Sequence, residues 1–305
     1  MLLAAAHSLT FFRAIVIGLI QGVTELFPIS SLAHAILLPT LFGWTDLVKE
    51  QTKSESFYLA FVVGLHVASA LALLVFYWRD WLGIIRAFFR TIATRKVETS
   101  EERLAWLIVL ATIPTGIIGL AFEHKLRVLF SKPMAAAIFL TCNGAILLAG
   151  ERIRQRSEVK ALAAREGLKE NEQGARRLDT LDYKEGFIIG ASQSLALLAG
   201  ISRSGVTMVA GLIRGLDHED AVKFAFLLAT PIILAAGLYK LPDLTGHLGD
   251  GIRGQVLAGS VVAGIASYIS VRFLTRYFKS RNLTPFGIYC LIAGVFFIVY
   301  SLIYV

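Results

Sequence analysis

Gln21-Gly-Val-Thr-Glu25-Leu-Phe-Pro28-Ile-Ser30-Ser31-Leu-Ala-His34 interrupts an otherwise apolar run at 11–44. Gly200-Ile-Ser202-Arg203-Ser204-Gly205-Val-Thr207 interrupts a second run at 186–216. Each run is apolar enough to enter a bilayer and too polar at its centre to cross it as a plain helix. Proline has no N–H and cannot continue a helix smoothly, and glycine permits backbone turns that other residues resist. Irregular backbone survives at membrane depth only where it is buried in protein or lines a wet cavity. The two breaks are therefore expected to face a shared pocket, and that expectation decides the fold.

The rest of the chain supports a membrane setting. Of its 305 residues 56% are hydrophobic, mean hydropathy is +0.67, and only 17% are charged, against about 25% in soluble domains. Six runs read as ordinary spans: Phe57–Trp78, Leu104–Phe122, Pro133–Gly150, Asp220–Leu241, Ile252–Arg272 and Pro285–Val305. A span needs roughly 17–25 residues. Cys142 and Cys290 lie inside apolar runs, which argues against a disulfide framework or a cysteine metal site. The net charge of +8 sits mostly beside apolar runs rather than in a basic stripe, so nucleic acid is not an expected partner. The first apolar run outlasts a leader peptide and contains Arg13, Gln21 and Glu25, so a cleaved signal is not expected either.

Lys and Arg number six in Arg79–Arg103, eight in Glu151–Asp182 and four in Arg272–Thr284, which places these stretches in the cytoplasm. Pro242–Gly251 has none and belongs outside; Glu123–Lys132, with three, fits an outer loop less comfortably. Following the sides along the chain makes 186–216 enter and leave from within, and 11–44 enter and leave from without. With an offset of 172, Ile17, Gly18, Gln21, Leu26, Ile29 and Ser30 match Ile189, Gly190, Gln193, Leu198, Ile201 and Ser202. The expected fold is an all-α integral membrane protein with six transmembrane helices and two re-entrant helical hairpins, arranged as an inverted-topology repeat. It forms one membrane domain: repeat one at 1–150, a cytoplasmic loop at 151–185, and repeat two at 186–305.

The first break concentrates chemistry. Gln21 and Glu25 share a helix face, Ser30 or Ser31 can cap a second short helix, and His34 follows one turn later. An intramembrane carboxylate is costly and usually functional, although serines that merely cap and a Glu25 paired with an arginine would also account for the pattern. At the second break, a loop leading into a helix offers N–H groups to anions. Arg203 adds a donor fork matched to phosphate, and Ser202, Ser204 and Thr207 add hydroxyls beside Gly205. Together these describe a phosphate cradle; a plain counter-ion role for Arg203 is the alternative. His66, mid-span, could point into the same cavity or be a buried structural histidine. Asp217-His218-Glu219-Asp220 resembles a metal cluster, but helix capping explains it more simply.

These stretches carry a resemblance. Gln21 to His34 resembles the first signature, and Gly200 to Thr207 the second, of the bacterial undecaprenyl-diphosphate phosphatase family of the bacitracin-resistance type. Phe76-Tyr-Trp-Arg-Asp80 and Phe224-Ala-Phe-Leu-Leu-Ala-Thr-Pro231 look like family stretches in the expected order. The resemblance implies hydrolysis of undecaprenyl diphosphate in the bacterial cytoplasmic membrane, with the pocket open to the periplasmic side. By motif position it implies a site of Glu25, Ser31, His34, Ser202, Arg203 and Thr207, to which the reading above adds Ser30, Ser204, Gly205, Gln21 and His66. Three departures stand out. Gln21 occupies a position that is usually Glu, so a divalent cation at Glu25 (magnesium or calcium) would be held less tightly. Ala199 replaces a proline, and Leu32-Ala33 narrow the space beside His34.

On this reading the partners are a polyprenyl diphosphate lipid and the bilayer, and a homodimer is compatible with the sequence. Ser31 is the candidate nucleophile with His34 as acid/base; activation of water by Glu25 or His34 is the alternative. The rival function is a lipid-phosphate flippase or anion transporter, because broken helices in inverted repeats also build transport sites.

Overall fold

The breaks expected at Pro28 and Gly200 are present, each flanked by helices too short to cross a bilayer alone. The structure, a computed structural model, describes residues 8–50, 56–130, 132–165, 176–245 and 250–304. Helix α1 (Phe11–Thr24) is capped by Thr10, whose side chain accepts from Arg13 N. It stops four residues before Pro28, and α2 (Ser31–Leu41) resumes after the turn. A short α3 (Thr45–Glu50) follows. The second segment has the same plan. Helix α8 (Tyr183–Ser192) starts from a capping box in which Asp182 and Glu185 satisfy each other's backbone N–H. A 3₁₀ turn spans Gln193–Leu197, and α9 (Arg203–Ile213) resumes beyond Gly200. Both α2 and α9 have 11 residues, about 16 Å at 1.5 Å per residue, roughly half a hydrocarbon core.

Between and after these segments run α4 (Phe57–Phe76), α5 (Trp78–Thr94), α6 (Ser100–Phe130), α7 (Pro133–Arg165), α10 (His218–Thr245), α11 (Arg253–Tyr277) and α12 (Thr284–Tyr304). Six of them, all but α5, are long and apolar enough to cross a membrane; the chain is a multi-pass membrane protein. Leu238, Leu257, Ile292 and Leu302 are largely exposed on these helices, as lipid-facing side chains are. Boundaries shift from the sequence reading in three places. The first span ends at Phe76, and the basic stretch after it folds as the separate helix α5, which shows Trp78, Leu82, Ile85, Phe89 and Ile92 on its exposed face. The supposed outer loop at 123–130 continues α6. The supposed cytoplasmic loop is helical to Arg165, with 166–175 outside the described residues.

Packing brings the two broken segments onto spans of the opposite half. Helix α1 packs along α11 and α8 along α6, while α4 packs on α10 and α7 on α12. At the first crossing a Cβ on Gly18 would collide with the carbonyl of Gly259. At the second, a Cβ on Gly190 would collide with the backbone of Ala111. Small residues let helix backbones approach closely where lipid provides no hydrophobic drive. The buried core includes Leu26, Ile36, Leu140, Leu147, Met208 and Phe226, and residues of both breaks, Ile29 and Ala199, belong to it.

Candidate active site

The two breaks are tied together by backbone groups that neither helix can satisfy. Asn143 of α7, fully buried, donates from Nδ2 to the Pro28 carbonyl at 2.9 Å and accepts at Oδ1 from Ser202 N at 2.9 Å. Ser30 caps α2 through Ala33 N and also accepts from Gly200 N at 3.2 Å. Its φ of 68° is unusual for a residue with a Cβ, a conformation costing of order 1–3 kcal/mol that persists where surroundings over-determine it. Gly200, at φ 125°, lies so close to α7 that a Cβ would stand 2.5 Å from that of Phe139. Only glycine meets both conditions.

Because the breaks are joined, their side chains meet. Glu25 is 7% exposed. Its Oε1 accepts from Arg203 Nη2 at 2.6 Å. Its Oε2 accepts from Ser31 Oγ at 2.5 Å and Gln21 Nε2 at 3.0 Å, with His66 Nε2 at 3.2 Å. The His66 ring is oriented by Nδ1, which faces the Val62 carbonyl at 2.7 Å. Glu25, Ser30, Ser31, His66, Ser202 and Arg203 line a cavity of about 260 Å³ whose remaining wall is mainly aliphatic.

Other expected site residues lie elsewhere. His34 does not line the cavity: its Nδ1 donates to the Ser30 carbonyl at 2.8 Å, and its Nε2 accepts from Tyr289 Oη at 2.7 Å. Ser204 Oγ is spent on Ser202 Oγ and Thr207 Oγ1 on the Arg203 carbonyl, while Gly205 packs against Pro28 and Leu147. In the cluster at 217–220, Asp217 caps α10 through Asp220 N and His218 contacts Glu151, in keeping with the capping reading.

Three residues of consequence escape the sequence reading. Asn143 is a lone amide inside the run 133–150, and its polarity at that depth is the signal. Tyr289, which orients His34, looks like any interfacial tyrosine. Gln193 is 1% exposed and lines the cavity, yet neither Nε2 nor Oε1 has a partner among the described residues. Arg203 Nη1 and Gln21 Oε1 are likewise unpartnered. A buried polar group left unpaired costs about 1–3 kcal/mol, so those of Gln193 and Arg203, which both line the cavity, mark a place for a polar ligand.

The side chains present do not fit a divalent cation held by the protein alone. Among the described residues Glu25 is the sole carboxylate lining the cavity, and donors already occupy both of its oxygens. Among the described residues no group of three or more His, Cys, Asp or Glu is placed to hold a metal ion. The magnesium or calcium expected at Glu25 meets no second carboxylate there among the described residues; Arg203 and His66 stand beside the carboxylate instead.

Comparison with known proteins follows the same residues. A family model described as bacitracin resistance protein BacA matches residues 14–296. The chain is 56% identical to undecaprenyl-diphosphatase 2 of Frankia alni, with 94% of this chain and 97% of that protein covered. Undecaprenyl-diphosphatase of Mycolicibacterium paratuberculosis is 55% identical, with 95% and 96% covered. Undecaprenyl-diphosphatase 2 of Chromobacterium violaceum is 39% identical, with 95% and 99% covered.

Proposed function

The chain belongs to the bacitracin resistance protein BacA family, and from that premise we propose that it hydrolyses undecaprenyl diphosphate to undecaprenyl phosphate and orthophosphate. This returns the carrier lipid to envelope-polymer synthesis and confers bacitracin resistance. The observation that carries the reading is the meeting of Ser31, Glu25 and Arg203, from two separate breaks, at one cavity. The terminal phosphoryl group lies there, and the first isoprene units lie along Leu59, Val62, Ile232 and Ala236, with the rest of the tail in lipid.

Glu25 takes the Ser31 proton as Oγ attacks the terminal phosphorus. The bridging P–O bond breaks, and the lipid monophosphate leaves with that electron pair. Water then cleaves the phosphoserine, orthophosphate departs, and the proton returns to Ser31. Arg203 neutralises charge on the transferring group, which is most of what phosphoryl-transfer catalysis demands. His34 supports the strained Ser30 rather than serving as the base, because both its ring nitrogens are engaged elsewhere.

The same reading takes the architecture to be an inverted-topology repeat of two re-entrant hairpins and six spans. In its support, α1 and α8 begin at residues 11 and 183 and α2 and α9 at 31 and 203, the spacing already seen in the sequence. Equivalent glycines, Gly18 and Gly190, make the crossings onto α11 and α6. With the basic stretches in the cytoplasm, α4 runs inward and α6 and α10 run outward. The cavity then touches the outer portions of all three, at Leu59, Thr115 and Ala236, which favours a periplasmic-facing site. Transport of an anion would use the same pocket but has no need of a serine held on a carboxylate.

The test is phosphate release from C55 diphosphate by detergent-purified protein beside Arg203→Ala. Release by wild type, reduced about 10²–10³-fold in the variant, is expected. Well-folded wild type that releases nothing would overturn the phosphatase reading in favour of transport.

A further inference from the structure

The two halves of the site treat one residue type differently. Gln21 and Gln193 stand 172 residues apart in matched positions. Four residues after Gln21 comes Glu25, whose carboxylate takes the Gln21 amide. Four residues after Gln193 comes Leu197, which can take nothing. Gln193 thus lines the cavity with both polar atoms of its amide buried and unpartnered among the described residues, and Arg203, which also lines it, has Nη1 in the same state. A leucine or methionine would fill the same volume without that cost.

We propose that Gln193 is a substrate-binding residue that, with Arg203, holds the terminal phosphoryl group. The chemistry of the unpaired atoms names the ligand class. Nε2 and Nη1 are donors and call for oxygen acceptors on an anion. Oε1 is an acceptor and calls for a hydroxyl, which a monoprotonated phosphoryl group carries beside its anionic oxygens. A sulfate-like anion has no such proton and leaves Oε1 unsatisfied. Gln21 cannot share this role, because its donor is committed to Glu25. Gln193 thus reads the phosphoryl group from the second half, while Glu25 and Ser31 act on it from the first.

This inference rests on the phosphatase reading, and its test separates the two. Gln193→Leu removes both polar atoms at nearly constant volume. Expected are a rise of about tenfold or more in KM for C55 diphosphate and in the inhibition constant of orthophosphate, with thermal stability in detergent undiminished. A variant with unchanged KM and orthophosphate inhibition would overturn the proposal. So would a parallel loss of melting temperature and activity, because the amide would then be structural. Failure of wild type to release phosphate would sink the phosphatase reading instead. In that case stabilisation of wild type, but not of Gln193→Leu, by added orthophosphate or pyrophosphate would still place the anion on Gln193; equal stabilisation of both would remove it.

Discussion

Changing Glu25 to Gln and Ser31 to Ala, singly and together, tests whether the two act as one unit. Ser31 Oγ donates to Glu25 Oε2 at 2.5 Å, so the carboxylate already accepts a hydrogen bond from the proton that attack must remove. Gln keeps the shape of Glu25 and an oxygen for Arg203 Nη2 but cannot accept that proton. Loss of a positioned general base lowers turnover about 10²–10⁴-fold, and loss of the nucleophile at least as much. If the proton transfer and the attack are one step, the double variant falls only marginally below the worse single one, because residues acting as a unit are not additive. Stability runs on a separate scale. Glu25→Gln leaves the Arg203 guanidinium, 15% exposed, facing a neutral amide. Breaking a buried pair in this way costs about 3–5 kcal/mol, and the open cavity beside Arg203 argues for the lower figure. Ser31→Ala gives up one hydrogen bond to a charged group, about 1.5–3 kcal/mol. Single-turnover phosphate release from C55 diphosphate reads the first scale and thermal melting in detergent reads the second. Losses that multiply in the double variant, or a Ser31→Ala enzyme retaining more than a tenth of wild-type turnover, would refute the coupled mechanism and assign attack to water.

Asn143→Ala strips a partner from both Pro28 O and Ser202 N. At about 1–3 kcal/mol per orphaned group, the loss should reach roughly 2–6 kcal/mol, and an unshifted melting temperature would show that Asn143 does not hold the breaks together. Gly190→Val forces a branched side chain into the Ala111 backbone and should cost about 1–3 kcal/mol or more. Gly116→Ala, where an added Cβ meets nothing within 4 Å, should melt as wild type does; equal effects would mean the crossing at Gly190 is not tight. Elemental analysis of dialysed protein should find well under one equivalent of divalent metal, because Arg203 and His66 already face Glu25. A full equivalent would contradict that donor set.

Much of this fold was legible because the bilayer imposes a simple rule. A run such as Phe57–Phe76, apolar for 20 residues, has one stable use, and Pro28 in a polar stretch has few. Finer features were not legible, because they depend on which neighbour a side chain meets. Nothing in Gln21-to-His34 says that His34 turns toward Tyr289, 255 positions away, while His66 turns toward Glu25. Ser30 and Ser31 are adjacent and alike, yet the turn after Pro28 gives one to the backbone and the other to the carboxylate. The partners of Ser204 and Thr207, read as part of a phosphate cradle, were hidden for a similar reason. Hydroxyls in a helix readily bond their own turn, and Thr207 does so through the Arg203 carbonyl.

The proposed repeat explains why the catalytic groups sit where they do. Ser30 and Ser202 are equivalent, and both cap the helix that follows a break; the duplicated structural role has been kept. The next residue, first in each helix, is Ser31 in one half and Arg203 in the other. In the proposed repeat these are equivalent helix starts, and the structure brings what they carry to one point. Both side chains do reach the same carboxylate, Ser31 at one oxygen and Arg203 at the other. The proposed nucleophile and charge-stabilising cation thereby meet from separate breaks without either loop having to hold both. Gln21 and Gln193 diverge by the same logic, one spent on orienting Glu25 and the other left for the ligand. On the proposed repeat, matched positions account for the convergence of the two helix starts, and their different residues, Ser31 and Arg203, for the different groups that meet at Glu25.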